Sequence, residues 1–286
     1  MRDTVARIEA LIHEDVGRGI QALCAAARGG LFGAASAIAS TERPRIGILT
    51  GFYVPAGIPP AAETDGPAGA ALMALGITRA GIDCRVLTDA LCRDACRAAL
   101  AGAGLTTVPV DCDDGLAAWR GAGIDWAISI ERCGRTADGT LRNMRGEPVE
   151  GTPLDDVFTA GPWRTVAIGD GGNEVGMGAL PAGLIAANIA FGATIACVTP
   201  ADHLIVAGVS HWGAYALLAA LAVARPDWRD GLLSALDPVT DQAILTALVA
   251  NGPAVDGVTL KREATIDGFG FAIHHPKLLA IRTAAQ

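Results

Sequence analysis

The sequence predicts an α/β protein: a mainly parallel open sheet with helices on both faces, Rossmann-like and three-layered, with a helical N-terminal extension and a helix-rich C-terminal part. Three observations predict it. Short runs of β-branched and aliphatic residues alternate with helical segments through the middle of the chain, the rhythm of βαβ units. Hydrophobic residues make up 51% of the chain but aromatics only 5%, with 36 glycines, a composition suited to close-packed layers rather than a disordered or fibrous chain. A length of 286 residues supports one large core, and no low-complexity linker divides it.

Residues 1–27 have helical spacing through Val5, Ile8, Leu11 and Ile12; Gly29-Gly30 closes this segment, and 31–39 reads as a second short helix. Strand-like runs follow at 46–49, 85–87, 107–110, 126–130, 165–168 and 194–198. Helical segments at 67–80, 90–101, 115–122, 154–160 and 175–190 separate them. Beyond Asp202 the pattern is helical over 203–225, 229–236 and 238–251, and a turn-rich tail, 255–270, leads to a last helix from His275 or Pro276. The economical reading is one α/β domain, 1–286, comprising a helical extension (1–40) and the body (45–286).

A net charge of −8 argues against nucleic-acid binding, which needs a basic surface. Seven cysteines, none in a C-x-x-C pair, read as reduced buried thiols of a cytoplasmic protein. The amino terminus, with Asp3, Glu9, Glu14 and Asp15 among its apolar residues, is neither a signal nor a transit peptide. Residues 175–201 carry no charge, and 204–224 only His211, so each run is long enough to span a bilayer. Pro181, several glycines and Asn188 break the first run, which reads better as a buried helix, a turn and a buried strand. No membrane partner is expected, and a homo-oligomer is compatible with the sequence.

Ligands of open α/β sheets sit beyond the carboxyl ends of the strands, and polar residues gather at those positions here. The richest stretch is I-G-D-G-G-N-E-V-G-M-G from Ile168, which sets Asp170, Gly171, Gly172, Asn173 and Glu174 on a glycine-rich turn after a strand. Its spacing is not the dinucleotide fingerprint, and its acids would repel a pyrophosphate. Asp170 and Glu174 instead suit proton transfer, or, with Asn173, a hard cation. Thr50 and Gly51 follow the first strand, and Glu63 and Asp65 stand in E-T-D-G-P just beyond. Glu63 and Asp65 near Asp170 would raise one another's pKa or bind Mg²⁺ or Ca²⁺; as an alternative, they form an acidic helix start. Arg132, Arg135, Arg142 and Arg145, with Asn143 among them, fill an irregular segment after the fourth strand, where guanidinium groups suit a small dicarboxylate or amino acid. Asp202 and His203 follow the sixth run, with His203 a proton carrier at a helix start. His211 fits a satisfied core histidine, and Ser210 lacks a nucleophile-elbow context.

These blocks together resemble the D-glutamate cyclase family, specifically the domain that longer members carry at their carboxyl end. The resemblance rests on T-G-F from Thr50, E-T-D-G-P from Glu63, E-R-C-G-R-T-A-D-G from Glu131, N-M-R-G from Asn143 and the glycine loop from Ile168. It continues through A-D-H-L-I-V-A-G-V-S from Ala201, W-G-A-Y-A from Trp212, D-P-V-T-D from Asp237 and D-G-F-G from Asp267, covering about residue 45 to the end. It implies a lyase that cyclises D-glutamate to 5-oxo-D-proline with loss of water. On that reading Asp170 or Glu174 is the base, a protonated partner or bound cation activates the γ-carboxyl group, arginines bind the α-carboxylate, and glycine-loop N–H groups stabilise the oxyanion. No cofactor is required by the sequence, and a divalent cation is compatible with it. Two other readings stay open: a metal-dependent hydrolase or lyase on another small acidic or lactam substrate, and a non-catalytic amino-acid-binding protein.

Overall fold

The computed structural model describes residues 1–112 and 115–286. The chain opens with α1 (Arg2–Ile12), α2 (Gln21–Ala27) and α3 (Gly30–Ala39), then enters β1 (Arg45–Thr50), β2 (Tyr53–Val54), β3 (Ala61–Glu63), α4 (Asp65–Arg79), β4 (Asp83–Leu87), α5 (Arg93–Gly102) and β5 (Val110–Asp111). It continues through α6 (Gly115–Ala122), β6 (Trp126–Ile130), α7 (Asp155–Ala160), β7 (Arg164–Gly169), α8 (Leu184–Asn188), α9 (Gly192–Ile195) and β8 (His203–Val206). The last elements are α10 (Ser210–Ala224), α11 (Arg229–Ala235), α12 (Pro238–Asn251), β9 (Ala254–Val255) and α13 (Phe271–Ala284).

Six strands form one parallel sheet in the order β5-β4-β1-β6-β7-β8. The chain builds leftward from β1 and then rightward from β6, so a topological switch point falls between these two strands, where the connections diverge and leave a crevice. Strand residues alternate between two cores, as a period of two requires. Ile46, Ile48, Ile128, Ile130, Val166 and Ile168 face one core, whereas Leu49, Ala127, Ala167, Leu204 and Val206 face the other. The α/β fold read from the sequence is thus the fold observed.

One face is deeper than three layers. α4 and α10 lie against the sheet, and α1, α3, α11, α12 and α13 cover them. This explains why 204–224 is uncharged: the helix inside it is buried on all sides. Such depth requires close approach. A Cβ on Gly69 of α4 would meet Ile130 Cδ1 at 2.5 Å and His211 Nδ1 at 3.3 Å. α12 supplies a partner to the polar residues buried within α10: Asp241 pairs with His211 Nε2 at 2.8 Å and accepts the Tyr215 hydroxyl at 2.9 Å. Burial alone would raise the Asp241 pKa, but these two partners outweigh it and hold it low.

Three expectations need correction. The sixth strand is His203–Val206, not 194–198, and α10 starts only at Ser210. Ala207-Gly208 separates β-branched Ile205-Val206 from the helix, so one apolar run holds a strand and a helix. Residues 175–190 do not form one helix, because Gly176, Gly178, Pro181 and Gly183 interrupt it and the Gly176 and Gly178 N–H groups bond to Thr199 O. Phe191 and Val198 lie exposed there, so this run is a turn-rich surface with two short helices rather than a buried helix and strand. Sequence reading also missed a second sheet, β2-β3-β9, which carries Glu63. Neither uncharged run forms a helix long enough to cross a membrane; among the described residues 21–39 passes on length and composition, as does 226–251 if its bent helix pair is taken as one span, and α3 within 21–39 packs on β8 and α10.

His274 of α13 gives a pH signature. It is 1% exposed, its Nδ1 accepts the Trp212 indole N–H at 3.0 Å, and its Nε2 lies 3.1 Å from Phe269 O. Burial first, then His211, lowers its pKa from 6.5 to about 4. The unfolded chain therefore takes up this proton first, so the contribution is intact above pH 6.5 and is lost as pH falls towards 4. Urea unfolding of the wild type and His274→Gln should diverge in slope across that window, by roughly 3 kcal/mol at its acid end. Parallel slopes would show that His274 does not titrate this way.

Candidate active site

Strand ends and turns converge at the switch point. Gly51 follows β1, Glu131 follows β6, Asp170 follows β7, and the 207–209 turn after β8 leads to Ser210. From the second sheet, Glu63 ends β3 and Asp256 follows β9; Asp65 opens α4, and Asp267 sits on the turn before α13. Arg18 reaches the same point from the loop between α1 and α2 and pairs with both Asp170 and Asp267. Arg18, Glu63, Glu131, Asp170 and Asp267 line a cleft of about 600 Å³, open mouth included, whose other walls include Phe52, Tyr53, Val54, Asn143, Met144 and Arg145.

Glu174 organises the glycine loop. Its Oε1 accepts the N–H groups of Asp170 at 2.9 Å and Gly171 at 2.6 Å, and its Oε2 that of Gly172 at 2.7 Å. This corrects the oxyanion expectation: the loop N–H groups of 170–172 are already taken by a carboxylate of the same loop. The brace fixes Asp170, whose Oδ2 accepts the Ser210 N–H at 2.9 Å at the positive end of α10. The Ser210 hydroxyl in turn donates to Glu131 Oε2. Glu131 and Asp267 hold their positions at φ values of 42° and 55°, left-handed backbone that non-glycine residues seldom adopt and that concentrates at functional sites. Gly257 makes room for Glu63, because a Cβ there would lie 1.7 Å from Oε1.

So many buried acids cannot all ionise at neutral pH. Desolvation first, then the neighbouring charges, pushes Glu63, Asp65 and Glu131 well above the usual carboxylate range. The same causes raise Glu174, and bring Asp267 to about 8 despite Arg18. Burial would lower the Arg18 pKa, but Asp170, Asp267, Glu131 and Glu63 outweigh it and raise it. The arrangement can hold and pass protons among carboxyl groups a few ångströms apart, and it favours a cationic ligand group.

Of the sequence-derived candidates, Glu63, Asp65, Asp170, Asn173 and Glu174 come together. Asn143 and Arg145 line the cleft, with Asn143 Oδ1 accepting the N–H groups of Arg145 and Glu147 in its hairpin. The other arginines do not face it. Arg132 is 1% exposed and is held by Asp89, Gly51 O and Thr152 O. Arg135 forks onto Asp156 at 2.8 Å, and Arg142 pairs with Asp138 at 2.8 Å. Thr50 is buried beneath the cleft, against α4 at Gly66. Gly171 and Gly172 serve the brace, and Gly51 carries the carbonyl that holds Arg132. His203 and Asp202 are corrected outright: because β8 begins at His203, both lie at the amino end of the sheet. There Asp202 caps Thr165, and His203 stacks on Trp126 beside Arg164.

Within the expected metal set of Asp170, Asn173 and Glu174, the Glu174 oxygens accept the glycine-loop N–H groups and Asn173 Nδ2 donates to Arg142 O. Carboxylates gather in two sets among the described residues, Asp65, Asp170 and Asp267, and Glu131, Asp170 and Glu174, each with ligand atoms within 4.8 Å of one another. Sequence reading missed Arg18, Glu131, Asp256, Asp267 and Ser210 as site residues. Glu131 and Asp267 head the E-R-C-G-R-T-A-D-G and D-G-F-G motifs, directly after a strand and in a turn; Arg18 offered no local signal beyond G-R-G.

Comparison with known proteins bears on the family. Residues 8–282 match the family described as "D-glutamate cyclase-like, C-terminal", which takes in the end of α1, the Arg18 loop, α2 and α3, beyond the boundary near residue 45 expected from the motifs. A human protein named "D-glutamate cyclase, mitochondrial" is 41% identical over 105 residues, 35% of this chain. The match spans only 17% of that relative's length.

Proposed function

The chain belongs to the D-glutamate cyclase-like family, and we propose that its acidic cleft closes D-glutamate into 5-oxo-D-proline with loss of water. The observation that carries this reading is the cluster of carboxyl groups, several of them raised in pKa, around one cleft with arginine at its floor and rim. Cyclisation forms an N–C bond between the α-amine and the γ-carboxyl carbon, and breaks one C–O bond. The nitrogen sheds two protons, and the departing oxygen gains two to leave as water. The reaction therefore needs a relay of protons rather than a sink. A carboxylate must take a proton from the ammonium, and a neutral carboxyl must deliver one to the leaving oxygen.

Asp170, fixed by the Glu174 brace and Ser210, is the base in this reading. Glu131 and Glu63, raised by burial, are the acids, and the cluster also draws in the ammonium group. Arg145, with Asn143, receives the α-carboxylate at the mouth, while the cleft holds the chain curled so that nitrogen meets carbon. Arg145→Ala should then raise KM for D-glutamate about tenfold or more with a smaller change in kcat. A fall in kcat at constant KM would remove Arg145 from this role.

The primary test incubates the purified protein with D- and with L-glutamate and follows 5-oxoproline by chiral chromatography. D-selective product is expected. Failure to cyclise either enantiomer would overturn the assignment, and thermal stabilisation by small carboxylates in that case would favour a binding protein.

A further inference from the structure

We propose that Asp65, Asp170 and Asp267, the last two of which line the cleft, form a binding site for a hard divalent cation, and that Arg18 is the resident cation it displaces. Asp65 carries the argument. It is 1% exposed, and neither of its carboxylate oxygens has a hydrogen-bond partner. Asp267 Oδ2 is likewise unpartnered. A buried, unpartnered carboxylate is costly, and a coordinated cation is a physical means of compensating it.

The guanidinium of Arg18 grips Asp170 and Asp267 but makes no ion pair with Asp65. One positive charge thus reaches two of three acids. Ligand oxygens of the three lie within 4.8 Å of one another, compatible with an ion that binds oxygen at about 2.0–2.6 Å. An oxygen-only donor set selects Mg²⁺, Ca²⁺ or Mn²⁺ over the thiolate- and imidazole-seeking metals. Arg18 is able to leave: it is 20% exposed at the side chain and stands between Gly17 and Gly19, on a loop gathered by Asp15. The site does not depend on the identity of the substrate.

Mn²⁺ alone is the probe. Titrating the full chain, freed of metal by chelation, into Mn²⁺ should quench the free-ion electron paramagnetic resonance signal with one equivalent, and Ca²⁺ or Mg²⁺ should restore it. Asp65→Asn should weaken binding by about 10–100-fold or more, and Arg18→Gln should tighten it about tenfold by removing the competing charge. Circular dichroism melts in EDTA check that the variants fold; Asp267→Asn is the second ligand variant should Asp65→Asn not fold. An unchanged Mn²⁺ signal at millimolar protein, or equal binding by wild type and the ligand variant, would overturn the site. Binding that Arg18→Gln fails to tighten would overturn the exchange. Because the readout is the metal itself, lost binding with intact cyclisation leaves the proposed function standing, and binding without cyclisation leaves the site standing.

Discussion

Asp170→Asn should reduce cyclisation of D-glutamate by about a thousandfold or more while the protein stays folded. The amide retains an oxygen for the Ser210 N–H and the glycine loop keeps its Glu174 brace, so the geometry survives. What disappears is the proton acceptor and one of the two partners of Arg18. Chiral chromatography of product, alongside a circular dichroism melt, separates the chemical effect from misfolding. Activity within tenfold of wild type would move the base elsewhere in the cluster.

Arg132→Met should behave in the opposite way, as a lesion of stability. The guanidinium donates to Asp89 Oδ2 at 2.8 Å and Gly51 O at 2.7 Å, and also to Thr152 O. Its removal leaves the Asp89 carboxylate, 2% exposed, without its charged partner. Breaking a buried pair from one side costs about 3–5 kcal/mol, whereas replacing both members by apolar groups is often close to neutral. Urea unfolding should therefore show a large loss for Arg132→Met and partial recovery in Arg132→Met/Asp89→Leu. A variant of wild-type stability with a raised KM would instead return Arg132 to the substrate.

The sequence disclosed those parts of the fold and site whose signals are local. The glycine loop announced itself because the tight turn after β7 concentrates Gly, Asp and Glu within a few residues. The parallel sheet was legible for the same reason, through short aliphatic runs separated by helical spacing. β8 was misplaced because four strand residues and a fully buried helix are both apolar, and periodicity cannot divide such a run. That single error carried Asp202 and His203 to the wrong end of the sheet. The arginines misled for a different reason. A guanidinium in a polar loop has the same composition whether it faces a substrate, as Arg145 can, or ties down a carbonyl, as Arg132 does. Arg18 was beyond reach, because its meaning lies wholly in partners far along the chain.

Arg18 and Asp267 stand 249 residues apart, one before the sheet begins and the other after its last strand. Their contact is among the longest loops the chain closes, and closing such loops is the slow, entropically late part of folding. The sheet and its buried helices can therefore assemble while the acidic site is still open at both ends. Completion of the cluster reports arrival of the whole polypeptide, and a partly folded chain carries the strands of this protein without its chemistry.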